Sequence, residues 1–155
     1  MSTKWALGLA ALLGTSFTTA RADEEKIPLD KVPKPVMTAF KEKFPGAEIK
    51  TAIKEVEDGK TLYEIESTQK GLTIDAVLSP DGKFVEIERE LKTADLPAAV
   101  SAAAKAKYPK GKATKAEEVT KGDAVTYEVT VDPGEGKAVV LSIDKTGKIL
   151  EEEKG

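Results

Sequence analysis

Hydrophobic residues first recur at helical spacing near the start of the second quarter of the chain. Val36, Phe40 and Phe44 stand at i, i+4 and i+8 with Met37 beside them, while Lys34, Lys41, Glu42 and Lys43 take the other side. The spacing predicts a helix from the Val32-Pro33-Lys34-Pro35 segment to about Phe44. Proline fits a first turn, whose amides lack an intrahelical partner, and Pro45-Gly46 stops the helix. From Ala47 the period changes to two. Strand-like runs over residues 48–56, 61–68, 72–78 and 84–91 are separated by turn residues at Asp58-Gly59, Lys70-Gly71 and Ser79-Pro80-Asp81-Gly82. Tyr63 and Ile65 alternate with Glu64 and Glu66. Leu72, Ile74, Ala76 and Leu78 alternate with Thr73, Asp75 and Val77, and Val85 and Ile87 with Glu86 and Glu88. One face of such a meander is apolar and the other largely acidic, as expected when a helix packs on one side only.

The pattern then restarts. Leu96-Pro97 echoes Val32-Pro33, Tyr108-Pro109 echoes Phe44-Pro45, and Tyr127-Glu128-Val129 echoes Tyr63-Glu64-Ile65, each 64 residues later; Gly147-Lys148 echoes Gly82-Lys83 at 65. So small a drift predicts a tandem duplication of a helix plus four strands. The expected organisation is a signal peptide over 1–22, a charged lead-in over 23–31, unit 1 over 32–91, a link over 92–95, unit 2 over 96–152 and a tail over 153–155. The second unit carries a longer loop at Asp132-Pro133-Gly134-Glu135-Gly136 and a short last strand that frays into the charged terminus. The fold class is α+β: two tandem α-β-β-β-β repeats sharing an antiparallel sheet, with both helices packed on one face.

Lys4, the apolar run from Trp5 to Leu13 and Ala20-Arg21-Ala22 have the order of a cleaved export signal, with Asp23 as the first mature residue. The run is too short to span a bilayer, so no stable membrane insertion is expected after cleavage. The expected location is the periplasm or the medium. Setting aside Lys4 and Arg21 leaves 22 basic against 27 acidic residues, a net charge of −5, which disfavours nucleic acid as a partner. Cysteine is absent, so no disulfide staples the fold, and histidine is absent too, which removes the commonest general base and metal ligand.

These residues resemble the PepSY-like, β-lactamase-inhibitor-like domains of bacterial exported proteins. The resemblance rests on the helix-plus-meander units, on Leu96-Pro97-Ala98-Ala99-Val100 with Tyr108-Pro109, on Gly122 to Val129, and on the Asp81-Gly82 and Thr146-Gly147 turns; it runs from Val32 to about Glu152. It implies two units in one antiparallel sheet, helices on one face and the other face open, in an exported and non-catalytic protein. Inhibitors sharing the double-unit fold are disulfide-bonded and insert a loop into their target enzyme. No such loop is matched here.

Candidate chemistry is sparse. Ser101 precedes Lys105 by four residues, but no oxyanion loop accompanies them and the spacing is not that of penicillin-recognising enzymes. Gly134-Glu135-Gly136-Lys137 lacks the glycine frame and the Ser or Thr of a phosphate loop. Asp81, Asp132 and Asp144 could give oxygen to Ca²⁺, yet no EF-hand spacing surrounds them and each is read as a turn former. No cofactor, metal or catalytic set is expected. The open sheet face offers a different possibility: Glu64, Glu66, Asp75, Glu86, Glu88 and Glu128 point outward if Tyr63 and Ile65 point at the helices. Such a face is expected to be acidic in the first unit and milder in the second, and to hold a basic protein or peptide, with inhibition as one outcome. Direct inhibition of an extracellular hydrolase, such as a β-lactamase or a peptidase, is the alternative.

Overall fold

The computed structural model describes residues 23–57 and 59–155. The expected export signal lies outside the described residues. Among the described residues nine strands form one antiparallel sheet in chain order: β1 (Asp23–Ile27), β2 (Glu48–Glu57), β3 (Lys60–Gln69), β4 (Leu72–Leu78), β5 (Phe84–Leu91), β6 (Lys112–Lys121), β7 (Ala124–Asp132), β8 (Val139–Asp144) and β9 (Ile149–Lys154). Helix α1 (Lys34–Lys43) precedes β2, and α2 (Ala98–Lys107) joins β5 to β6. The α+β class therefore holds, as does the open antiparallel sheet.

Each helix begins after a proline, Pro33 or Pro97, and ends one residue before a Phe-Pro or Tyr-Pro pair. The last turns carry Lys41 and Lys43, and Lys105 and Lys107, where cations complement the helix dipole. The apolar stripes are fully used. Val36 and Phe40 pack with Ile65, Ala76 and Leu78, while Val100 and Ala104 pack with Val129, Leu141 and Ile143. Strand register carries the Ala76 position through Ile87 and Thr120 to Val125, which packs against the α2 cluster, so both helices cover the same face of the sheet.

Two segments differ from the sequence reading. The charged lead-in contains β1, which pairs along β2 from Asp23 opposite Val56 to Ile27 opposite Ala52. Its Asp-Glu-Glu-Lys-Ile sequence has no alternation to betray it, because an edge strand can form through backbone pairing alone. The C-terminus is paired into the sheet where a frayed end was expected: Glu153 and Lys154 pair with Val140 and Val139, and the Gly155 amide donates to the Ala138 carbonyl at 3.0 Å.

Candidate site: the uncovered sheet face

Side chains alternate across the sheet, so register decides which residues share the face opposite the helices. All six carboxylates singled out in the sequence lie there. Glu66, Asp75 and Glu88 stand directly opposite one another across β3, β4 and β5. Glu90, Glu117 and Glu128 do the same across β5, β6 and β7. Glu64 and Glu86 flank Val77. Like charges at directly opposed positions destabilise a sheet. Here they form two rows of three.

Two lysines sit among these carboxylates. Lys121 Nζ lies 2.8 Å from Glu86, and Lys115 Nζ lies 2.6 Å from Glu117. Glu90 accepts a hydrogen bond from the Thr73 amide at 3.0 Å. Burial pushes the Glu88 carboxyl up from 4.5 to about 7, and the charges of Glu117, Glu86 and Asp75 add to it against the pull of Lys115. Glu128 is raised to about 7 as well, by burial first and then by Glu88, Glu117 and Glu86, again opposed by Lys115. Val119 lies between these carboxyls, opposite Glu88 and Thr126, and is only 8 % exposed although neither α1 nor α2 covers it.

The sequence reading missed Glu90 and Glu117. Glu90 only required extending the β5 alternation by one step. Glu117 was hidden because the β6 register shifts between Ala113 and Lys115, which breaks the period at the start of that strand. The expectation of a milder second half needs correction: Glu117, Glu151 and Glu153 join Glu128 on this face, since Glu151 and Glu153 pair with Ser142 and Val140.

The opposite face holds a different arrangement between the two helices. Arg89 donates to Glu118 at 2.9 Å, and Tyr127 Oη donates to the other carboxylate oxygen at 3.3 Å. The turn aspartates serve their turns. Asp144 Oδ1 accepts from the amides of Thr146 at 2.8 Å and Lys148 at 3.0 Å, Asp132 from the Gly134 amide at 2.9 Å, and Asp81 from Ser79. Ser101 and Lys105 line a cavity of about 100 Å³ beside α2, together with Tyr108 and Val131. Among the described residues no group of three or more His, Cys, Asp or Glu is arranged to hold a metal ion.

The fold has known counterparts. A protein of Bacteroides eggerthii DSM 20697, named a "putative periplasmic" protein, is 20 % identical with a TM-score of 0.66, covering 79 % of this chain and 88 % of its own. A BLIP-like protein from Bacteroides fragilis NCTC 9343 is 23 % identical with a TM-score of 0.62 over 79 % of this chain and 86 % of its own. A DUF2874 family protein from Bacteroides uniformis ATCC 8492 gives 18 % and 0.64 over 79 % and 88 %. These likenesses concern the fold. No curated protein matches the chain. The pattern of the PepSY family, "Peptidase propeptide and YPEB domain", matches residues 35–88. That of the PepSY-like family, "Putative beta-lactamase-inhibitor-like, PepSY-like", matches residues 73–151, half of the 155-residue chain, and the chain belongs to this family.

Proposed function

We propose that the chain is an exported, non-catalytic binding module whose uncovered sheet face holds a basic protein or peptide. The observation that carries this reading is the pair of opposed carboxylate rows, Glu66-Asp75-Glu88 and Glu90-Glu117-Glu128, on a face that neither helix covers. Such rows work against the stability of the sheet and gain a purpose if a cationic partner neutralises them. Val77, flanked by Glu64 and Glu86, supplies apolar contact for the same partner. Export rests on the leader pattern over residues 1–22, and the periplasmic naming of a protein with the same fold supports it. No helix among the described residues is long and apolar enough to cross a membrane.

The reading is tested by titrating a basic Lys-Val repeat peptide into the protein and into a variant with Glu64, Glu66, Glu86 and Glu88 all changed to Lys. Affinity should fall by about tenfold or more in the variant, and by far less when Glu42 and Asp95, which lie off this face, are reversed. Equal binding by wild type and the four-fold variant sinks it. Inhibition of an extracellular hydrolase is the alternative, favoured by the family description and by the BLIP-like fold counterpart. Unchanged β-lactamase and peptidase activity at high micromolar protein would remove it.

A further inference from the structure

The two buried clusters share no residue. One is built around Phe40 and Ile65, the other around Val100 and Leu141, and they meet along β5, where Ile87 packs against the first and Leu91 against the second. What joins the two halves of the sheet is the β5·β6 ladder, six residue pairs from Glu86 opposite Lys121 to Leu91 opposite Ala116. Most of that ladder is polar. Its helix side carries the Arg89–Glu118 ion pair, and its open side carries Glu86 against Lys121, Glu88 against Val119 and Glu90 against Glu117.

Charge converges on this ladder from every neighbouring strand. Glu88 faces Asp75 on β4, with Glu66 on β3 beyond it, Glu86 and Glu90 along its own strand, and Glu117 and Lys121 diagonally on β6. Glu128 faces Glu117, with Lys115 diagonal on β6 and Asp144 diagonal beyond Ser142 on β8. The two nearby lysines are each within 3 Å of another carboxylate, Lys121 at Glu86 (2.8 Å) and Lys115 at Glu117 (2.6 Å). We propose that the β5·β6 ladder is a proton-operated seam: the two halves of the sheet are clasped at mildly acid pH and loosened above neutrality by repulsion centred on Glu88, Glu117 and Glu128. The raised carboxyls of Glu88 and Glu128, both near 7, place the change in the neutral range. Protonating either removes a charge from a row in which every other member is also acidic. The proposal stands apart from the binding reading, since it needs no partner.

Native-state hydrogen exchange, corrected for the intrinsic pH dependence of amide exchange, reads the seam directly. Between pH 5.5 and pH 8, protection of the ladder amides over residues 86–91 and 116–121 should fall by about tenfold, while the β2·β3 and β7·β8 ladders change much less. In the Glu88→Gln, Glu128→Gln double variant the ladder should keep its acid-state protection at pH 8. Glu151→Gln, at the far edge of the same face, should respond as wild type does. Ladder protection that does not change with pH, or that falls in parallel with β2·β3 and β7·β8, overturns the proposal from wild type alone. A double variant with the wild-type pH response overturns it as well.

Discussion

Replacing Gly82 by alanine should undock α1 from the hairpin beneath it, and the expected loss can be worked out from two separate effects. Gly82 closes the β4–β5 turn with φ +85°, and a Cβ there would lie 2.6 Å from the Pro35 carbonyl oxygen and 2.9 Å from its carbon. Gly147 meets the Ala99 carbonyl oxygen of α2 in the same way at 2.7 Å, with φ +90°. Gly71, in the β3–β4 turn, has a similar φ of +81° but nothing within 4 Å of its would-be Cβ. Alanine at Gly71 therefore incurs the left-handed backbone penalty alone, about 1–2 kcal/mol. At Gly82 the obstacle is helix backbone, which no rotamer change can move aside, so overpacking of about 1–3 kcal/mol adds to the same penalty. Urea unfolding followed by far-UV circular dichroism gives both values, provided the slope is unchanged between variants. Gly82→Ala and Gly147→Ala should each be about 2–5 kcal/mol less stable than wild type. If Gly82→Ala is no worse than Gly71→Ala, the close approach of turn and helix is refuted.

Stability should fall as pH rises from 5 to 8. Glu88 and Glu128 are raised from 4.5 to about 7 in the folded state, so the folded chain holds protons the unfolded chain has already lost; the contribution is full below 4.5 and disappears as pH rises through 7. A rise of that size corresponds to about 3 kcal/mol for one sealed carboxyl. Partial exposure and shared repulsion bring the pair to about 2 kcal/mol, read as midpoint shifts in urea at the two pH values. A curve flat or rising over that window contradicts the assignment. Asp81, Asp144 and Glu152 are lowered by their hydrogen bonds, so their contributions are lost in the opposite direction, in stronger acid. Phe40→Ala, at a residue with no exposed surface, should destabilise by about 3–5 kcal/mol in the same assay, and a loss under 1 kcal/mol would deny Phe40 its central place in the first core. Tyr108→Phe removes a 2.7 Å hydrogen bond to Glu152 and should speed amide exchange in β9 while leaving β2 and β3 unchanged.

Much of this fold can be read from alternation. The expected strand at 72–78 coincides with β4 and that at 84–91 with β5, because Ile74, Ala76 and Leu78 must face the helix and their neighbours must not. Helix ends were equally legible through Pro45 and Pro109. Alternation is silent where backbone pairing outweighs side-chain pattern, as in β1, and where a bulge shifts the period, as at the start of β6. The six outward carboxylates were visible individually. Their opposition in rows was not, since it depends on the register between strands as distant as Arg89 and Glu118. The elevated carboxyls of Glu88 and Glu128 follow from that register and from burial on a face that alternation alone marks as solvated.

The proposed binding surface is the sheet face that α1 and α2 leave uncovered. Backbone amide shifts of isotopically labelled protein, followed while a basic Lys-Val repeat peptide is added at low salt, test it most directly. The largest, saturable changes are expected at Glu66, Asp75, Glu88, Glu117 and Glu128 and their strand neighbours, weakening as salt is raised. Changes centred instead on α1 and α2, or no saturable change on the open face, would contradict it.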